Sequence, residues 1–167
     1  MPKVIEGEMA GGGGRYAVVT AKFNRTITGR LEKGAVKTLL EQGIDENDIT
    51  SFWVPGAFEL PMIADRLASS KKFDAVICLG AVIRGETTHD QHINRAISLQ
   101  FADLSIKHGL PIIFGVLTCN TVEQANARSG GAPNVKDKSL PEGKIGNKGS
   151  EAAEAALEMV DLLRKLK

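Results

Sequence analysis

The stretch "ICLGAVIRGETTHDQH", residues 77–92, decides the fold. Val76, Ile77, Leu79, Ala81, Val82 and Ile83 form an apolar run through Gly80 with no polar alternation, the pattern of a strand covered on both faces of a parallel sheet. The run ends at Arg84-Gly85. Two threonines, a histidine and an aspartate follow before Ile93, Ala96, Ile97, Phe101 and Leu104 repeat at helical spacing as far as Gly109. A buried strand that passes through a tight turn into a helix is the building unit of an α/β sheet, and the polar residues stand where the two meet.

Outward from this unit the alternation repeats. "RYAVVTA" (15–21) and "ITSFWV" (49–54) are strand-like, the central run begins in "FDAVICLG" (73–80), and "PIIFGVLT" (111–118) follows it. Leu31, Ala35, Leu39 and Leu40 make a helical stripe stopped at Gly43, and Pro61 suits the first turn of a helix through Leu67. Asn120 with Glu123 resembles a capping box for a further helix. Ala152, Ala156, Met159, Leu163 and Leu166 give the stripe of the last one. Ala153, Ala155, Leu157 and Leu162 widen it, as either a subunit contact or a broadly buried helix would require.

Four such alternations predict a three-layer α/β domain: a four-stranded parallel sheet with helices on both faces, of flavodoxin-like topology. The domain spans 15–167, behind a flexible arm at 1–14 that contains Gly11 to Gly14, and carries a polar loop insertion at 130–147. Sheets of this kind bind ligands beyond the carboxyl ends of their strands at a topological switch point. The loops that matter therefore begin "KFNRT", "PGAFE", "AVIRGETTH" and "CNTVEQ".

Composition narrows the partners. A formal charge of +1, from 21 basic and 20 acidic residues, gives no electrostatic case for nucleic acid or an anionic membrane. Aromatics at 5% leave no stacking platform for single strands. Cys78 and Cys119 sit in apolar runs and read as reduced core thiols, and the start has no apolar signal region, so the expected location is cytoplasmic. No window is apolar for long enough to span a bilayer.

After the first strand no glycine triplet follows, and Gly143-Lys144 precedes Ile145 rather than Ser or Thr, so Rossmann and Walker nucleotide sites are excluded. His89 and His92, with Asp90 between them and Glu86 before, nearly face one way, but no third histidine or thiol completes a metal site and none is expected. The turn at Gly85 instead brings the unsatisfied amides of a helix's first turn to the strand end, a place suited to a phosphate. Thr87 or Thr88 is the cap, and His89 beside that anion is an imidazole fit to move protons. A capped surface helix with a solvent-facing histidine is the plain alternative. Phe23 by default belongs to the core, Glu59 either bonds a polyol or starts a helix, and Arg128 is either a ligand or a helix-end cation.

In order, "KFN", "VPGAFELP", "GAVIRGETTH", "FGVLT" and "NKGSEAAEAALEM" closely resemble the 6,7-dimethyl-8-ribityllumazine synthase family, from about Arg15 to the C-terminus. The resemblance implies condensation of 5-amino-6-(D-ribitylamino)uracil with 3,4-dihydroxy-2-butanone 4-phosphate, the penultimate step of riboflavin biosynthesis, without metal or cofactor. It implies that Phe23 stacks on the pyrimidine and Asn24 shapes its pocket. Ala57, Phe58 and Glu59 would hold ring and ribityl hydroxyls, and Ala81, Val82 and Ile83 would offer backbone bonds. Glu86 and Thr87 would form the phosphate site, and His89 would transfer protons. Phe114, Arg128 and Lys148 would come from a neighbouring subunit, with Arg128 on the phosphate. The implied assembly is a pentamer, in some members a sixty-subunit shell, with riboflavin synthase as a further partner. An archaeal-type riboflavin synthase paralogue and a non-catalytic shell or ligand-binding protein are the alternatives on this fold. The chain departs from the family pattern in two places. Asp90-Gln91-His92 stands where many relatives have an aromatic, and the stretch between Arg128 and Lys148 is longer than usual.

Overall fold

The computed structural model describes residues 1–10, 12–131 and 146–167. Its centre is the apolar run just quoted. Strand β3 (Ala75–Ile83) is buried along eight of its nine residues. It pairs on one side with β1 (Tyr16–Ala21) and on the other with β4 (Ile112–Cys119), while β2 (Ile49–Val54) lies beyond β1. All pairings are parallel and the order is β2-β1-β3-β4, so the expected four-stranded parallel sheet is the one that forms. β3 extends three residues past the sequence reading, to Ile83 opposite Cys119, because Gly80 sits within the sheet rather than ending the strand.

Strand position explains where the apolar runs break. The inner strand β1 is wholly buried. The edge strands are not: Thr50 and Ser51 of β2 and Phe114 and Thr118 of β4 are exposed. Alternate side chains of the sheet feed two cores. Tyr16, Val18, Ile77 and Leu79 face helices α1 (Arg25–Glu41) and α5 (Lys148–Lys165). Ala17, Val19, Val76 and Cys78 face α2 (Leu60–Ser69) and α3 (His89–His108). A short helix, α4 (Val122–Ala127), adds Ala125 to the first core. Burial pushes the Tyr16 phenol up to about 12 and drives the Cys78 thiol well above its ordinary range, so neither ionises near neutrality.

Helix ends follow the sequence with two corrections. Gly43 (φ 90°) and Gly109 (φ 61°) take the left-handed conformation that stops α1 and α3. The cap of α4 is Thr121, not Asn120: its hydroxyl accepts from the Gln124 N–H at 3.2 Å, while Gln124 Oε1 accepts from the Asn120 N–H at 2.8 Å. The buried face of α5 is Gly149, Ala152, Ala153, Ala156, Leu157 and Val160, whereas Met159 and Leu166 are exposed. The reason is distance. A Cβ on Gly149 would collide with the Leu31 carbonyl, and one on Gly34 with Asn147, so α1 and α5 meet too closely for anything but small side chains at their first contact.

The arm before β1 has no helix or strand, yet it lies along α5. The Glu8 N–H donates to Asp161 Oδ2 at 2.8 Å, Lys165 Nζ donates to the Glu6 carbonyl at 3.0 Å, and Arg164 reaches the Gly12 carbonyl. Of the insertion read at 130–147, residues 132–145 lie outside the described residues. Its two ends are joined: Ser129 and Asn147 form an antiparallel bridge, and the Gly130 N–H donates to the Gly146 carbonyl at 2.8 Å. No helix among the described residues is long and apolar enough to cross a membrane.

Candidate active site

The strand order places a switch point between β1 and β3, where the chain leaves in opposite directions. Pairing between the two stops at Thr20 and Leu79, so β3 continues alone on that side from Gly80 to Ile83. Which peptide groups are left open follows from the ladder. Val76 N–H donates to Pro111 and Arg84 N–H to Cys119, both on the β4 side. Parallel strands alternate, so Val82 also points to β4, while the N–H and C=O of Ala81 and Ile83 point into the gap beyond β1. Asn24 Nδ2 donates to the Ala81 carbonyl at 2.9 Å. Asn24 is itself in the left-handed region (φ 60°), a local strain that this bond and its place at the head of α1 hold in place.

A cleft of about 710 Å³ opens over this gap. Its walls are Phe23, the turn Pro55–Glu59, the end of β3 from Ala81, and the mouth of α3 at Thr87, His89, Asp90 and His92. Phe23 is 71% exposed and Phe58 is 63% exposed, so the core default for Phe23 does not hold. A phenylalanine at a strand end with no cover from its own chain presents a flat apolar face to the cleft. Gly56 makes room for Glu59, since a Cβ there would stand 3.1 Å from its carboxylate. At the helix mouth the His89 N–H donates to Thr87 Oγ1 at 3.4 Å, and the Thr88 hydroxyl lies 3.4 Å from His92 Nε2. Thr88 is the first half-helical residue but makes no side-chain cap, so Thr87 is the only threonine that serves the helix end.

A second cleft, of about 310 Å³, runs along the free edge of β4. Phe114 and Thr118 of β4, Arg128 at the end of α4, and Asn147, Lys148 and Glu151 at the start of α5 line it. Phe114 rests on Phe101, with ring centroids 5.8 Å apart, and keeps 40% of its surface open. Arg128 Nη1 donates to the Gln124 carbonyl at 3.2 Å, and the Lys148 N–H donates to the Arg128 carbonyl at 2.8 Å. The two cations therefore stand on directly bonded peptide units despite the long insertion between them. Lys148 also sits 3.9 Å from Glu151.

The residues singled out in the sequence divide cleanly. Phe23, Ala57, Phe58, Glu59, Ala81, Val82, Ile83, Thr87 and His89 line the first cleft, and Phe114, Arg128 and Lys148 line the second. No residue lines both. Asn24 supports the first cleft from behind, and Val82 offers it a side chain rather than peptide groups. Glu86 is exposed in the turn before α3 and lies outside both linings. Among the described residues no group of three or more His, Cys, Asp and Glu is placed to hold a metal.

Sequence reading missed the residues that hold the second cleft. Asn147 caps α5, its Oδ1 accepting from the Gly149 and Ser150 N–H groups at 2.9 and 3.2 Å. An Asn directly before an alanine-rich run is a legible cap signal that the preceding polar loop obscured. Arg30 bonds Asn126 and Ser129, nearly a hundred residues away, and no local signal announces it.

The sequence pattern of the 6,7-dimethyl-8-ribityllumazine synthase family matches residues 13–164 of this chain. The chain belongs to that family.

Proposed function

We propose that this member of the family condenses 5-amino-6-(D-ribitylamino)uracil with 3,4-dihydroxy-2-butanone 4-phosphate to give 6,7-dimethyl-8-ribityllumazine. One observation carries the reading: an uncovered Phe23 and the His89 helix mouth face each other across one cleft at the switch point. The pyrimidine stacks on Phe23, its edge meets the Ala81 N–H and the peptide groups of Ile83, and the ribityl hydroxyls reach Glu59 and the Ala57–Phe58 turn. The phosphate of the second substrate sits at the α3 mouth beside Thr87, where the helix dipole favours an anion.

The chemistry needs proton transfer and a held leaving group. The substrate amine adds to the ketone and water leaves, forming a Schiff base. Loss of a proton next to the imine then expels inorganic phosphate, and ring closure with loss of a second water gives the lumazine. His89 accepts and returns the protons, an imidazole being able to do both near neutral pH. Holding two substrates together supplies much of the acceleration. Arg128, with Lys148 and Phe114 beside it, opens on a different cleft from His89. In this reading the Arg128 cleft of one copy therefore closes over the His89 cleft of its neighbour in a ring, and the clamped phosphate lies between subunits.

Incubating the protein with the two substrates and following lumazine absorbance tests the reaction. The expected product is the lumazine, and formation of riboflavin from lumazine alone would assign the chain to the paralogous activity instead. His89→Ala should lower turnover by about 10²-fold with pyrimidine binding retained, at the low end for an acid–base residue because positioning carries much of the rate. Unchanged turnover would remove His89 from the mechanism.

A further inference from the structure

We infer that Arg30 is the positioning residue for the phosphate-clamping Arg128, an inference that rests on the function proposed above. Arg30 lies in the second turn of α1 and lines neither cleft. Its guanidinium brackets Arg128 from behind: Nη2 donates to Asn126 Oδ1 at 2.6 Å and to Ser129 Oγ at 3.0 Å, and Nε donates to the Ser129 carbonyl at 3.2 Å. Asn126 lies two residues before Arg128 and Ser129 directly after it, and Ser129 is fully buried. The chain beyond is pressed against the same group, since a Cβ on Gly131 would stand 2.8 Å from Arg30 Nη2. The backbone of Arg30 completes the frame. Its carbonyl accepts from Asn147 Nδ2 at 3.2 Å, and Asn147 caps the helix whose first residue, Lys148, bonds the Arg128 carbonyl.

Such a frame is needed because α4 has only six residues, too few to hold a defined path by its own hydrogen bonds. A planar fork that meets three acceptors at once fixes the peptide on both sides of Arg128, which a point charge on a flexible stem cannot do. The phosphate clamp is thereby set by α1, the helix whose head, Asn24, also shapes the first cleft.

Titration of the assembled protein with inorganic phosphate, alongside steady-state kinetics, tests this. Arg30→Gln and Arg30→Lys should each weaken phosphate by about tenfold and raise KM for the butanone phosphate, with kcat at saturation within about threefold and pyrimidine affinity unchanged. Arg128→Ala, the clamp itself, should lose phosphate by about a hundredfold. A defect of folding alone would lower the active fraction, and hence kcat, without moving the phosphate constant. Full affinity in Arg30→Lys would assign the effect to charge and overturn positioning, as would full affinity in Arg30→Gln while Arg128→Ala fails to bind. Undiminished binding in Arg128→Ala would instead remove the reading of Arg128 on which the inference rests. If Arg30→Gln does not assemble, Asn126→Ala, which deletes the shortest of the three bonds, carries the same expectation and the same refutation.

Discussion

The two clefts are built by opposite means. The cleft over the switch point is made of strand ends: Phe23 just beyond β1, Pro55–Glu59 after β2, and Ala81 to His92 running from β3 into α3. Its parts all stand at strand ends, its open peptide groups follow from sheet order, and the Asn24 side chain bonds the end of β3. The cleft on the β4 edge gathers residues from 114–119, 128 and 146–151. The Arg30, Asn126, Ser129 and Asn147 side-chain network, with the backbone bonds that join 127–130 to 146–148, keeps these together. Sheet topology specifies the first; bonds between distant segments, from side chains and backbone together, specify the second. The proposed site, divided between them, would need two copies of the chain, each supplying one kind of construction.

The strongest way to break that division is to mix two crippled chains. His89→Ala disables the first cleft and Arg128→Ala the second, and each alone should fall by about 10²-fold in activity at limiting substrate. When the two are co-expressed with different tags and purified as mixed rings, about a quarter of the sites pair an intact first cleft with an intact second, given random placement around a ring. The mixed rings should therefore recover to about a quarter of the parent rate. Recovery no better than either parent would mean that both residues act within one chain, and the comparison of clefts would lose its functional meaning.

The same contrast explains what was legible in the sequence. Buried parallel strands read plainly because both faces are covered, so their apolar runs carry no polar interruptions; "FDAVICLG" starts two residues early and ends three short, where β3 outlasts β1. The helix mouth at Thr87–His89 was legible for the same reason, a turn glycine between two periodic segments. The uncovered Phe23 was not, because composition cannot tell a phenylalanine that fills a core from one left exposed at a strand end. The face of α5 reads correctly at Ala152, Ala153, Ala156 and Leu157 and fails at Met159 and Leu166, because the close contact at Gly149 favours the smaller residues. Arg30 was invisible because its partners lie 96 and 99 positions away. Adjacency in space had to be seen, and only the fold supplies it.

A smaller effect tests whether the second cleft ends where its lining does. Residues 130 and 146 are bonded and the Ser129–Asn147 bridge lies beside them, so the two described ends of the insertion meet at one point. Replacing 132–145 with a short Gly-Ser linker changes a loop-closure entropy that grows slowly with length. Turnover and phosphate affinity should stay within about twofold, as expected for a change that leaves both pinned ends alone. Loss of phosphate binding in the shortened protein, with its pyrimidine affinity intact, would extend the second cleft into the insertion.

The smallest effect concerns the far end of α5, whose first residue stands in the second cleft and whose last, Lys165, holds the arm. The two ends lie about 25 Å apart along the helix. Lys165 donates to the Asp161 carboxylate at 2.8 Å and holds it below the usual carboxylate range, with the Glu8 N–H adding to this. In return the carboxylate raises the Lys165 pKa above its ordinary value. The signs follow. A depressed carboxylate contributes its hold above the ordinary aspartate range near about 3.9 and loses it as pH falls through the lower folded value. A raised ammonium contributes fully below about 10.4 and loses its hold as pH rises through the higher folded value. The arm should thus be fastened across the neutral range and loosen at both extremes. Asp161→Asn removes the carboxylate charge at neutral pH, and Glu8 amide exchange should then rise by no more than about fivefold, the scale of an exposed pair. Because α5 is a rigid spacer whose cleft end is fixed separately by Asn147, turnover should not follow. Equal protection of Glu8 in the variant would show that the packing of half-buried Met9 against the first core, rather than the ion pair, holds the arm, and a fall in phosphate affinity would show that α5 carries the state of the arm to Lys148.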